Sequence, residues 1–195
     1  EHDWVMVHEM LHACFPDLER RHRWMQEGLS TYLEPIARAR GGNVSDAWVW
    51  SKWVRMMHNG RPGFGDRGLD RTHTWGRVYW GGALFWLMVD LEIRQQSKGA
   101  AGLEHALRGI VAAGGNGRVT WSTDKVIELG DAATKTTALR DVYTRMADAP
   151  GDVELDALWA RLGVLPQEDG TVEFSDDAPL AAVRQAMTRA PDAGA

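Results

Sequence analysis

Four residues near the start of the chain have the types and the spacing for metal chemistry: His8, Glu9, His12 and Glu27, within VMVHEMLHACFPDLERRHRWMQEGLSTY (residues 5–32). On a helix, His8 and His12 stand one turn apart on one face, so two imidazoles can converge on one ion. Glu9 sits about 100° further round, off the ligand direction but close enough to reach a water on that ion, and so reads as a base. A catalytic zinc site takes three protein ligands and keeps the fourth position for water. Glu27 is the best third ligand, because it is set among Trp, Met and Leu where a solvated surface Glu would have polar neighbours. The plainer alternative is an amphipathic helix carrying two solvated histidines. Two His and one carboxylate also suit non-haem iron, and the adjoining Glu base is what favours hydrolytic zinc. With zinc bound, the pKa of its water falls toward about 7, Glu9 can take the proton, and a polarised carbonyl becomes open to attack.

Positioning these groups requires a helical hairpin. The first helix carries HEMLH, and Pro16 with the charged run from Asp17 to Arg23 supplies the turn. The second lies in WMQEGLSTYLEPIARAR, where Trp24, Met25, Leu29, Tyr32, Leu33 and Ile36 recur at helical spacing. Gly41, Gly42 and Asn43 close it, and Ser45 is the expected N-cap of SDAWVWSKWVRMM. The Gly- and Arg-rich segment 58–74 reads either as a substrate-facing loop or as a solvated connector, with His73 near its end as a weaker candidate contact. A buried helix is expected over 77–97, since the apolar run from Val78 to Val89 stops at Asp90 and is too short to span a bilayer. Further helices are expected near 103–113, 121–129, 136–148 and 154–162, with a short strand over 170–174. Pro179 suits the first turn of a last helix, and Ala190 to Ala195 should fray.

The architecture expected is mainly α. Residues 1–97 hold the zinc-binding catalytic helices, 98–163 the helical C-terminal part of the same domain, and 164–195 a short strand, a helix and a tail. Most of the ten tryptophans read as core at helical spacing, with two expected at substrate. Cys14, the only cysteine, is expected to be a small buried side chain, and it rules out an internal disulfide.

At HEMLH and at WMQEGLSTY the sequence resembles the gluzincin metallopeptidases of the aminopeptidase N type. RVYWGGALFWLMVDLEIRQQSKGAAGLEHALRGI (77–110) is similar to the helix after the active site in the glycyl aminopeptidase family, with its Tyr-x-x-Gly-Ala start and Asp-Leu-x-Ile-Arg segment. The likeness spans most of residues 4–174, more loosely at ALRDVYTRMADAP and LDALWARLGV. It implies a thermolysin-like catalytic domain, His8, His12 and Glu27 as zinc ligands, Glu9 as general base and Tyr79 as the oxyanion-stabilising tyrosine. A tyrosine hydroxyl is protonated at neutral pH and can donate to the developing charge. Three features depart from the pattern. Only fourteen residues separate His12 from Glu27, Gly81 stands where relatives often carry Lys, and a Gly-x-Met-Glu-Asn type segment for the substrate's amine is missing. Exo- or endopeptidase action is therefore open.

Composition bounds the function without choosing it. A chain of 195 residues, 44% hydrophobic, can bury one sizeable core. Its net charge of −5, with no basic block, argues against nucleic acid as partner, and a peptide substrate fits better. Glu1 lies only seven residues before His8, without initiator Met or signal pattern, which reads as a fragment or processed product. The resemblance implies an upstream β region that pairs with extended substrate, and a periplasmic or secreted location. Three functions are expected in descending order: a zinc peptidase of aminopeptidase-like kind, a zinc hydrolase of a non-peptide substrate, and a non-catalytic metal-binding interaction module.

Overall fold

The computed structural model describes residues 3–189, the side chain of Asp3 excepted, so the expected fraying of Ala190 to Ala195 lies outside the described residues. The chain is mainly α-helical. The metal-motif helix α1 spans Asp3–His12, and α2 runs Arg23–Arg40 after a 3₁₀ turn at Arg20–His22. The link between them is held extended: Asp17 donates its N–H to Val119 and accepts from the N–H of Trp121 (both 2.9 Å), so a short connection needs no helix of its own.

Next comes α3 (Asp46–Met56), begun as expected by Ser45, whose side chain accepts from Trp48 N–H. A π-helical turn, Gly76–Gly81, leads into α4 (Gly82–Gln96). After it follow α5 (Leu103–Ala112), α6 (Thr123–Thr134), α7 (Ala138–Met146) and α8 (Leu155–Leu162). Strands β1 (Val164–Pro166) and β2 (Val172–Phe174) pair antiparallel with Val164 opposite Phe174, and α9 (Ala181–Thr188) ends the described chain.

The core forms where α2 crosses α4. Trp24, Met25, Leu29, Tyr32 and Ile36 on α2 are buried, as is every residue from Ala83 to Leu87 on α4. Glycine permits the crossing: a Cβ on Gly28 would lie 2.3 Å from Gly82 Cα, which is backbone that cannot turn aside. Hydrogen bonds fix the register, with Trp86 Nε1 donating to the Met25 carbonyl (2.8 Å) and Tyr32 OH to Asp90 Oδ2 (2.9 Å). Asp90, where the apolar run stops, is itself buried because its other oxygen accepts from Arg94 Nε and Leu103 N–H. An unpaired buried carboxylate would be far costlier.

The structure corrects several local expectations. Cys14 is exposed, because α1 stops at His12 and the following turn sends Phe15 into the core against Trp86. The helix expected to end at 129 continues to Thr134 and closes on Lys135, in the left-handed region at φ 55°. Pro179 lies outside α9, ahead of its N-cap Leu180. Strand β1 was not expected: its three residues, one of them Pro166, carry no strand signal of their own and form by pairing with β2.

The 58–74 segment is a strap. Leu69 is fully buried, and Asp70 Oδ1 accepts from His22 Nδ1 (2.7 Å) and Trp24 Nε1 (2.8 Å) while Oδ2 accepts from Tyr143 OH (2.6 Å). One carboxylate thereby ties the start of α2 to α7. Arg77 is buried beneath the strap, paired with Asp66 at 2.9 Å. Among the described residues no helix is long and apolar enough to cross a membrane.

Candidate metal centre

His8 and His12 leave α1 on one face, toward α2. His8 Nε2 lies 3.3 Å and His12 Nε2 3.5 Å from the same atom, Glu27 Oε2. Tetrahedral zinc with bonds of 2.0–2.2 Å places neighbouring donors about 3.3–3.5 Å apart, so the two distances from Glu27 Oε2 match edges of such a site, and all three side chains offer ligand atoms within 4.8 Å of one another. The donor chemistry, two imidazoles and one carboxylate, fits zinc, and a zinc ion would be held by His8, His12 and Glu27. Among the described residues these three form the group of His, Cys and acidic side chains close enough to share an ion.

The surroundings favour the ionised carboxylate. Hydrogen bonding to His12 and then His8 outweighs burial and, with Arg23, holds the Glu27 carboxyl far below the usual carboxylate range. Reciprocally, Glu27 raises His12 against the opposing effect of burial. Arg23, one turn earlier on α2, donates to Glu27 Oε1 from Nε (3.0 Å) and Nη2 (2.8 Å). That grip occupies one carboxylate oxygen and leaves Oε2 to the histidines. Ser30 Oγ lies 3.5 Å from His12 Nδ1, the ring nitrogen turned away from the ligand set. Partners of this kind orient metal ligands. Neither Arg23 nor Ser30 was picked out from sequence, although an Arg four residues before a candidate ligand on one helix face is a readable signal.

The centre opens into a cleft of about 1260 Å³, with Glu9 and Tyr79 on its wall. Tyr79 belongs to the π-helical turn, an irregularity that recurs at functional sites, and it lines the same cleft as Arg23. The arrangement thus gathers His8, Glu9, His12, Glu27 and Tyr79 around one opening. Trp4, Trp48, Trp75 and Trp80 also line it, whereas Trp24, Trp50, Trp53, Trp86 and Trp159 are core. His73 is exposed and, like the rest of 58–74, does not line the cleft; Leu69 and Asp70 pack the segment against the helices instead. At Gly81 a Cβ would lie 2.8 Å from Leu69 Cδ2 and 3.2 Å from the Gly60 carbonyl, which leaves no ready space for a lysine there.

Chemically, such a site can hold a divalent metal with a carboxylate base and a phenol donor beside it. No protein-family model, no curated protein and no solved structure matches this chain.

Proposed function

We propose that this chain hydrolyses peptide bonds with zinc held by His8, His12 and Glu27, as an aminopeptidase-like member of the gluzincin type. The observation that carries the reading is the meeting of His8 Nε2 and His12 Nε2 on Glu27 Oε2, inside a cleft that also displays Glu9 and Tyr79. Zinc, when bound, supplies a Lewis acid and an acidified water. Glu9 accepts the proton of the attacking water and later delivers it to the leaving amine. The Tyr79 hydroxyl donates a hydrogen bond to the carbonyl oxygen as negative charge builds there. Arg23 holds the Glu27 carboxylate in place, and Ser30 fixes the His12 ring. The tryptophans on the rim remove peptide surface from water.

An upstream β region of the same protein, implied by the resemblance, belongs to this proposal as the element that aligns extended substrate. Its support on α1 is the pair Met6 and Met10, one turn apart on one face and 67 and 64% exposed.

The test is Glu9→Gln. Its amide keeps the shape of the carboxylate but cannot accept the proton, so zinc content should stay at the wild-type level while peptide turnover disappears into background. Undiminished turnover would remove Glu9 from the mechanism, and lost zinc would make it a ligand.

A further inference from the structure

Two turns beyond Glu27, the same face of α2 carries a second group of charges that hydrolysis itself does not use. Glu34 is buried, and its two oxygens are taken separately: Oε1 accepts from Arg38 Nη1 (3.0 Å) and Oε2 from Lys52 Nζ (2.6 Å). Both cations lie against one indole, with Arg38 Cζ 4.9 Å and Lys52 Nζ 5.4 Å from the Trp48 ring centroid. All four residues line the cleft that holds the metal centre. One anion between two cations leaves this end of the cleft with a net positive charge. An arginine and a lysine together offer eight N–H donors, and Glu34 takes one from each. Arg38 Nε is buried with no hydrogen-bond partner at all. The cations, steadied by an aromatic face, are thus anchored by Glu34 without being used up by it.

We propose that Arg38, Lys52 and Trp48 form a specificity subsite for a substrate carboxylate, set apart from the scissile bond. Seven residues of α-helix rise about 10 Å, and an extended peptide covers that distance in about three residues. The carboxylate therefore belongs to an Asp or Glu side chain near the third residue from the cleaved bond, or to the peptide's own C-terminus at that distance. Glu34 is the positioning residue that presents the two cations. A purely structural triad would fill the same space; what points to substrate is that Arg38, Lys52 and Trp48 all line the cleft that holds the metal group. This assignment rests on the peptidase reading above.

The test uses the full chain, zinc-loaded and carrying Glu9→Gln so that no probe is cut, with binding read by titration calorimetry. Three alanine-based probes are compared: a peptide blocked at both ends with one Glu, its Gln counterpart, and the Gln peptide with a free C-terminus. The Glu probe should bind about tenfold tighter than the blocked Gln probe, the size of one added charge-assisted hydrogen bond, and high salt should erase the difference. Tighter binding of the free-carboxylate probe alone would assign the subsite to the peptide terminus. Arg38→Gln and Lys52→Gln should each abolish the preference. Should either fail to fold, Glu34→Gln decides: it takes the anchor from one cation, so the Glu preference should fall while zinc content and the affinity for the blocked Gln probe stay at the parent level, and an unchanged preference overturns the subsite. Equal binding of all three probes overturns the subsite. Preferential binding with no cleavage of the Glu probe by the protein that retains Glu9 would sink the peptidase reading and leave the subsite standing. Cleavage of all three probes without preference would do the reverse.

Discussion

Replacing Gly28 by alanine should damage fold and site together. A Cβ there would sit 2.3 Å from both the Cα and the carbonyl carbon of Gly82, while carbon atoms in contact prefer about 3.5–4.0 Å. Relief requires α2 and α4 to separate by more than about 1 Å, and α4 is walled in by Leu84, Phe85, Trp86 and Leu87, all fully buried. Overpacking of this kind costs about 1–3 kcal/mol or more. Taking about 3 kcal/mol, a domain of this size should melt about 6–12 °C lower. The shift also reaches the cleft. Gly28 follows Glu27 directly, and Tyr79 lies three residues before Gly82, so the spacing between ligand and oxyanion donor opens with the helices. Misplacement by about 1 Å can cost about 100-fold in turnover. Zinc should remain, because its three ligands sit on α1 and α2 and move as one. Calorimetric melting, zinc content and peptide turnover measure the three effects. The control is Gly63→Ala, where a Cβ meets nothing within 4 Å. A Gly28→Ala protein that melts with the wild type would refute the close approach of the two helices.

Tyr79→Phe should retain its zinc and lose about 100-fold or more in turnover, as expected for deletion of one oxyanion donor; turnover close to wild type would return Tyr79 to a packing role. Asp70→Asn should lower stability at neutral pH by about 2–3 kcal/mol, since the carboxylate accepts from His22, Trp24 and Tyr143 and an amide must turn one N–H toward a donor. The pH dependence carries a sign. Burial pushes the Asp70 carboxyl up, but the hydrogen bonds from His22, Tyr143 and Trp24 together hold it below the ordinary value. A depressed carboxyl contributes stability above the ordinary carboxylate range, about pH 4, and loses it as pH falls through the lowered value. The Asp70→Asn protein should therefore lose less stability than wild type over that acid window, as read by urea denaturation at a series of pH values; parallel curves would remove Asp70 from the acid response.

Much of this was legible because local rules and tertiary packing agree. The H-E-x-x-H spacing puts two imidazoles on one face of any helix, and the apolar set from Trp24 to Ile36 marks Glu27 as an acid among buried neighbours, so periodicity together with the resemblance pointed to the meeting of these three side chains. Ser45 announces α3 by capping chemistry that needs no partner. Other features depend on contacts far along the chain. Exposure of Cys14 follows from Phe15 finding Trp86, and β1 exists only opposite β2. The strap role of 58–74 hangs on Asp70 meeting a histidine, a tryptophan and a tyrosine from distant elements, which no window of sequence displays. The π-helical turn under Tyr79 is equally silent in sequence. The carboxylate subsite was hidden for a related reason: Glu34 and Arg38 are one turn apart on α2, but Lys52 and Trp48 come from α3.

The central claim is that His8, His12 and Glu27 hold one zinc and leave a position open for water. Zinc-edge X-ray absorption on the loaded full chain tests it directly. The spectrum should show the outer-shell scattering of two imidazoles and a first shell of nitrogen and oxygen at about 2.0–2.1 Å in four-coordination, at one zinc per chain. A sulfur scatterer near about 2.3 Å, a hydrated ion without imidazole, or no stoichiometric zinc would contradict it.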